Sequence, residues 1–128
     1  MKYFIMMLAL LPLTLSAHEM TPTYPKLEPS HVEGVLKTTM EMLNKRKDVE
    51  YYEVGVFDKD WKNVPFVTSY SISKQNIIEL KYLSRVRLDI YIREKDKDRA
   101  LYICSKSKIK KEDEIRTAIL SRICSKIK

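Results

Sequence analysis

Glycine is nearly absent from this 128-residue chain, which has only Gly34 and Gly55. Glycine is the residue that turns accept at positive φ without steric penalty. A chain with two of them cannot rest its turns on Gly-containing pairs and must use Asn, Asp and Lys instead. Histidine is as scarce, with His18 and His31 alone. No nucleophile motif accompanies either of them, so the chain is read as a non-enzyme. Two cysteines, Cys104 and Cys124, fall short of the four ligands a structural zinc site takes. An N-terminal His18 would offer its amine and ring nitrogen to Cu(II). His31, in the turn-like Pro29-Ser30-His31 segment, has no supporting pattern, and no cofactor is expected. Internal repeats and low-complexity linkers are also missing.

One long apolar run is present, and it stands first. Lys2 precedes Tyr3 to Leu11, then Pro12, Leu13 and the Leu15-Ser16-Ala17 stretch ending in a small residue. This is the layout of a secretory signal peptide, residues 1–17, cleaved after Ala17. The run is shorter than the roughly 20 residues a spanning helix needs. The alternative, a retained anchor helix, finds no later segment apolar enough to stop transfer, so no integral membrane segment is expected after cleavage. The mature chain, residues 18–128, is one domain's worth of sequence. It is expected to be periplasmic or otherwise exported. Export favours oxidation of the two cysteines, for which a single intramolecular pairing exists. Two unpaired buried thiols are the alternative.

The net charge of +7 is concentrated at Lys45–Lys47 and from Lys106 to Lys128. A surface for single-stranded nucleic acid would interleave aromatics with that charge. Here isoleucines are interleaved instead, and export argues further against nucleic acid. A solvated basic face is one reading; an acidic partner, such as a carboxylate terminus or an anionic membrane surface, is the other.

Most of the chain alternates with period two. Leu36, Thr38, Met40 and Met42 share a face, as do Tyr52, Val54 and Val56, and again Val86, Leu88 and Ile90. Thr21 to Pro25 holds two prolines and reads as an extended edge. Val64 to Val67, Tyr70 to Ile72, Ile77 to Leu80 and Ala100 to Cys104 read as further short strands. Asn44 to Asp48, Asp58 to Asp60 and Arg93 to Arg99 are polar breaks. About seven short strands separated by polar turns predict a single all-β, immunoglobulin-like sandwich. Its expected core is Leu36, Met40, Val54, Val56, Leu80, Val86, Leu88, Leu101 and Ile103. Residues 111–128 stay open. Ile115, Ile119, Ile123 and Ile127 recur every four residues, which is one face of a helix and equally one face of a strand.

The order of these features resembles the N-terminal immunoglobulin-like domain of periplasmic pilus-assembly chaperones, the PapD-like chaperones of the chaperone–usher pathway. Met20-Thr21-Pro22-Thr23 is similar to their proline-containing first strand. Met42-Leu43-Asn44 is similar to a strand ending in Asn before the first turn. Glu53 to Asp58 leading to Trp61, Ile77 to Leu80 followed by Val86-Arg87-Leu88, and Asp98 to Tyr102 match later stretches in sequence. Ser121-Arg122 and Lys126-Ile127-Lys128 resemble the basic seventh strand. Lys74 and Gln75 stand where the family has Pro, Tyr82-Leu83 replaces a Pro-Gly turn, and the family's second sandwich domain has no counterpart here.

The resemblance implies that Cys104 and Cys124 lie on the sixth and seventh strands and are joined, which favours strand for residues 115–127. It also implies a chaperone-like binding module that donates its last strand to a pilin-like or other β-rich subunit, by β-augmentation. Ile115, Ile119 and Ile123 would form the apolar row, and Lys126 or Lys128 would anchor a carboxylate. The same isoleucines would alternatively complete the domain's own core. A structural or adhesive surface component, or a virion protein, using the sandwich without chaperone activity is the other functional class.

Overall fold

The computed structural model describes residues 18–69, 76–108 and 121–128. Within them the chain forms β1 (Glu19–Thr21), β2 (Glu28–Pro29), β3 (Val35–Leu43), β4 (Tyr51–Phe57) and β5 (Val67–Thr68). It continues through β6 (Ile77–Glu79), β7 (Arg85–Arg93), a 3-10 turn at Glu94–Asp96, β8 (Tyr102–Lys108) and β9 (Arg122–Lys126). One sheet has the order β1-β3-β7-β5, with β2 also on β3; the other has the order β6-β4-β8-β9. All named pairings are antiparallel. This is an all-β sandwich with the immunoglobulin-like division of strands between two sheets.

The described residues hold nine strands. The first edge segment breaks into two, β1 and β2, while β5 and β6 fall at the expected Val64 to Val67 and Ile77 to Leu80. The expected Tyr70 to Ile72 strand lies outside the described residues. The cis peptide bond Thr21–Pro22 lies at the break. Before it, β1 pairs with β3. After it, the Thr23 and Pro25 carbonyls accept from the amides of Lys126 and Lys128, at 3.0 and 2.9 Å. The chain therefore crosses from one sheet to the other within a few residues.

The alternating faces pack against each other as read. Met40, Met42, Tyr52, Val54, Val56, Leu80, Leu88, Ile90 and Ile103 are buried in one cluster. Leu36, Val86 and Leu101 are only half-buried. Leu36 lies next to the end of β3, and Val86 packs against the cluster from its rim. Leu101 immediately precedes β8: its amide donates to the Phe57 carbonyl and its carbonyl accepts from the Ile127 amide. The amides of Arg99 and Ala100 before it are drawn back to the Asp96 carbonyl. Strand β8 starts at Tyr102 and runs on to Lys108, past the Cys104 boundary expected for it. Its inward residues there are Ser105 and Ser107, both buried. Small polar residues facing inward hide the alternation.

Those serines belong to a buried polar arrangement between the sheets. The His18 ring lies 4.5 Å from the Tyr52 ring. Its Nε2 is 2.6 Å from Ser105 Oγ and its Nδ1 3.2 Å from Ser121 Oγ. A neutral imidazole satisfies both, donating at one nitrogen and accepting at the other. Both ring nitrogens are thus engaged by hydroxyls, while His31 is exposed in the turn before β3. Among the described residues no group of three or more His, Cys, Asp or Glu is placed to hold a metal ion.

His18 is 1% exposed. Burial pushes its pKa down to about 4, and the charge of Arg46 pushes the same way. A base with a depressed folded pKa leaves the unfolded state holding the extra proton. Stability from keeping it neutral is therefore complete above about pH 6.5 and is lost as pH falls toward about 4. Local release of this end of the chain limits the loss to about 2 kcal/mol. The carboxylates held low by their partners, Asp48 by Arg46 and Asp96 by Arg99, titrate below this window. Chemical-denaturation midpoints are expected to fall between pH 6.5 and 4.5 in the parent and to stay level in His18→Gln. Equal slopes in the two proteins would remove His18 as the cause.

Candidate binding edge and the face beside it

Strand β9 has two edges. On one edge it pairs with β8, with Cys104 opposite Cys124 and Lys106 opposite Arg122. The Ser107 amide reaches the Ser121 carbonyl and the Ile127 amide the Leu101 carbonyl. By the alternation of the ladder, the odd-numbered residues 121–127 turn their backbone groups to β8. The even-numbered ones turn theirs to the opposite edge, and there Lys126 and Lys128 are paired with Thr23 and Pro25. The next positions back, Arg122 and Cys124, have no backbone partner on that edge among the described residues. The reason is topological: the first segment has by then crossed at Pro22 to join β3.

Cys104 and Cys124 are joined in a disulfide between directly opposed residues, with Cα atoms 4.1 Å apart. Of the isoleucines, Ile123 faces inward and packs against the core cluster, and Ile127 belongs to it. Ile115 and Ile119 lie outside the described residues. Lys126 and Lys128 have exposed side chains, while their amides are held by this chain's own first segment. The described part of the C-terminal region is strand, which resolves the helix–strand ambiguity for residues 122–126.

On the outer face of the same sheet, sequence reasoning missed a cluster that spans three separate stretches. Asp58 builds a tight turn after β4: its carboxylate accepts from the amides of Asp60 and Lys62, at 2.8 and 2.9 Å. The Lys62 amide first, then that of Asp60, holds this carboxyl below its ordinary pKa. The turn places Trp61 at φ 61°, a left-handed conformation rare for a bulky residue. Its indole stacks on Tyr102 at 4.5 Å and 13°, and lies 6.2 Å from the Phe57 ring. The Arg122 guanidinium sits 4.8 Å from both the Phe57 and Trp61 ring centres, within cation–π range. Trp61 remains 49% exposed.

Gly55 makes this face possible. A Cβ there would meet the Phe57 ring at 2.8 Å, so only glycine lets that ring lie back over β4. Gly55→Ala is expected to cost about 1–2 kcal/mol through overpacking. It should also shift the emission of Trp61, the only tryptophan, as Phe57 moves. Unchanged stability with unchanged emission would show that the ring is not held there.

No protein-family model matches the chain, and no curated protein matches it. Among the described residues no helix is long and apolar enough to cross a membrane.

Proposed function

We propose that the protein is an exported binding module that holds a β-rich protein subunit, of the pilin type, by lending the edge of its last strand to the partner's sheet. The observation that carries this reading is the half-closed edge of β9. Thr23 and Pro25 occupy it at Lys126 and Lys128, and it stands unpaired among the described residues at Arg122 and Cys124. An exposed edge with free N–H and C=O groups is a template for another chain, and main-chain pairing supplies affinity in this mode of recognition. The order of motifs resembling pilus-assembly chaperones points the same way. The disulfide supports an oxidising compartment such as the periplasm.

Ile123, packed on this domain's own core, supports β9 rather than reaching out. Ile115 and Ile119, which the resemblance puts in the same apolar row, lie outside the described residues. The exposed Lys126 and Lys128 side chains flank the edge and suit an acidic group on the partner.

The test is a lysine-reactive cross-linker applied to the protein in its native compartment, followed by purification without reductant. A subunit joined through Lys126 or Lys128 is the expected product. Recovery solely as an uncoupled monomer contradicts the reading. Recovery solely as chains of itself also contradicts it and favours a structural or adhesive surface component built on the same sandwich.

A further inference from the structure

The outer face of the β6-β4-β8-β9 sheet carries a groove of about 570 Å³. Gly55, Phe57, Trp61 and Phe66 form its apolar side, Lys106 and Arg122 its basic side, and Glu53 also lines it. Lys106 and Arg122 stand directly opposite each other on β8 and β9. Like charges in that position repel. Glu53 is across from Lys106 on β4, but its carboxylate is paired with Lys108 at 2.9 Å. Arg122 is held by two aromatic rings and a weak contact to Cys104 Sγ at 3.8 Å. Among the described residues no carboxylate lies within ion-pair distance of either Lys106 or Arg122. Among the described residues, the groove therefore holds two cations without an ion-pair partner beside an apolar wall.

We propose that this groove binds an acidic peptide segment of a partner protein, with a carboxylate between Lys106 and Arg122 and an adjoining apolar side chain against Phe57, Trp61 and Phe66. A carboxylate there removes the cross-strand repulsion and accepts charge-assisted hydrogen bonds from both cations. The aromatic wall gives the neighbouring side chain a surface to bury. The groove is concave, which suits a segment entering it rather than a flat lipid surface. Tyr102 and Arg122 already lie against the Trp61 ring, so the indole is not the open platform on which a sugar stacks. This site stands whether or not the β9 edge pairs with a strand.

Trp61 lines the groove, and as the only tryptophan it reports binding directly. The probe is the capped tetrapeptide Glu-Phe-Pro-Glu, titrated into the disulfide-intact mature protein at low salt, against its Gln-Phe-Pro-Gln isostere. A saturable change in Trp61 emission is expected, with the isostere about tenfold weaker and affinity falling as salt rises. Arg122→Gln and Lys106→Gln are each expected to weaken binding by roughly five- to tenfold. The midpoint is compared rather than the amplitude, because Arg122 lies against the indole. Lys81→Gln, exposed and outside the groove lining, should leave the midpoint unchanged and controls for net charge. No saturable change up to ~10 mM peptide, a weak-binding limit, would overturn the proposal. Equal binding of the isostere would overturn it too, as would tighter binding of an oligo-glucuronate than of the peptide.

Discussion

Asn44→Ala is expected to cost about 4 kcal/mol. Asn44 is fully buried where β3 ends. Its Nδ2 donates to the carbonyls of Val49, at 2.7 Å, and Leu80, at 2.8 Å. Its Oδ1 accepts from the Arg46 amide at 2.8 Å and from the Tyr52 hydroxyl at 2.6 Å. Its backbone is tied as well, donating to the Ser84 carbonyl and accepting from the Leu83 amide. One residue therefore joins the end of β3, the loop to β4 and the turn between β6 and β7. Alanine strands two carbonyls, an amide and a hydroxyl where water has little room. Each unsatisfied buried group costs about 1–3 kcal/mol, reduced where relaxation admits solvent.

Tyr52→Phe breaks only one of these bonds and is expected to cost about 1 kcal/mol. Asn44→Asp keeps the acceptor but loses both donors, and should approach the alanine loss. Urea midpoints at constant m-value give all three. A loss under about 1 kcal/mol for Asn44→Ala would show that the loops hold without it.

Breaking the disulfide is expected to cost about 3 kcal/mol, from the loop closed by cysteines 20 residues apart. Its effect should fall unevenly. Strand β9 is the last element and is held by β8 on one edge and by two amide bonds to the first segment on the other. The Cys104→Ala, Cys124→Ala double variant should lower the thermal midpoint by roughly 10–20 °C. It should also raise amide exchange at Ser125 and Ile127 well before that of β3 or β7. Intact mass after alkylation without reductant checks the bond itself. Two alkylated thiols in protein from an oxidising compartment would refute it.

The long strands were legible because their faces are chemically distinct. Thr38, Met40 and Met42 alternate with outward residues, as do Tyr52, Val54 and Val56, so period two survives in the sequence. The rest was hidden for particular reasons. Ser105 and Ser107 face inward to bond His18 and Ser121, and polar residues at core positions read as loop. The burial of His18 depends on hydroxyls 87 and 103 residues away, a separation no local pattern carries. Asn44 was visible as the end of a strand, but not as a hub, because its partners are backbone atoms. The Trp61–Arg122 cluster joins β4, its turn, β8 and β9 through the fold alone. One signal could have pointed to it: Gly55, a rare glycine in mid-strand, marks a place where something lies close to the backbone.

Amide hydrogen exchange at Arg122 and Cys124, compared in the free mature protein and in the complex recovered with its subunit, tests the strand-lending edge most directly. Both amides are expected to exchange quickly in the free protein and to be protected by at least about 100-fold in the complex, as buried ladder bonds are. Lys126 and Lys128, already bonded to Thr23 and Pro25, should be protected in both. A complex in which Arg122 and Cys124 exchange as fast as in the free protein would contradict strand addition at β9.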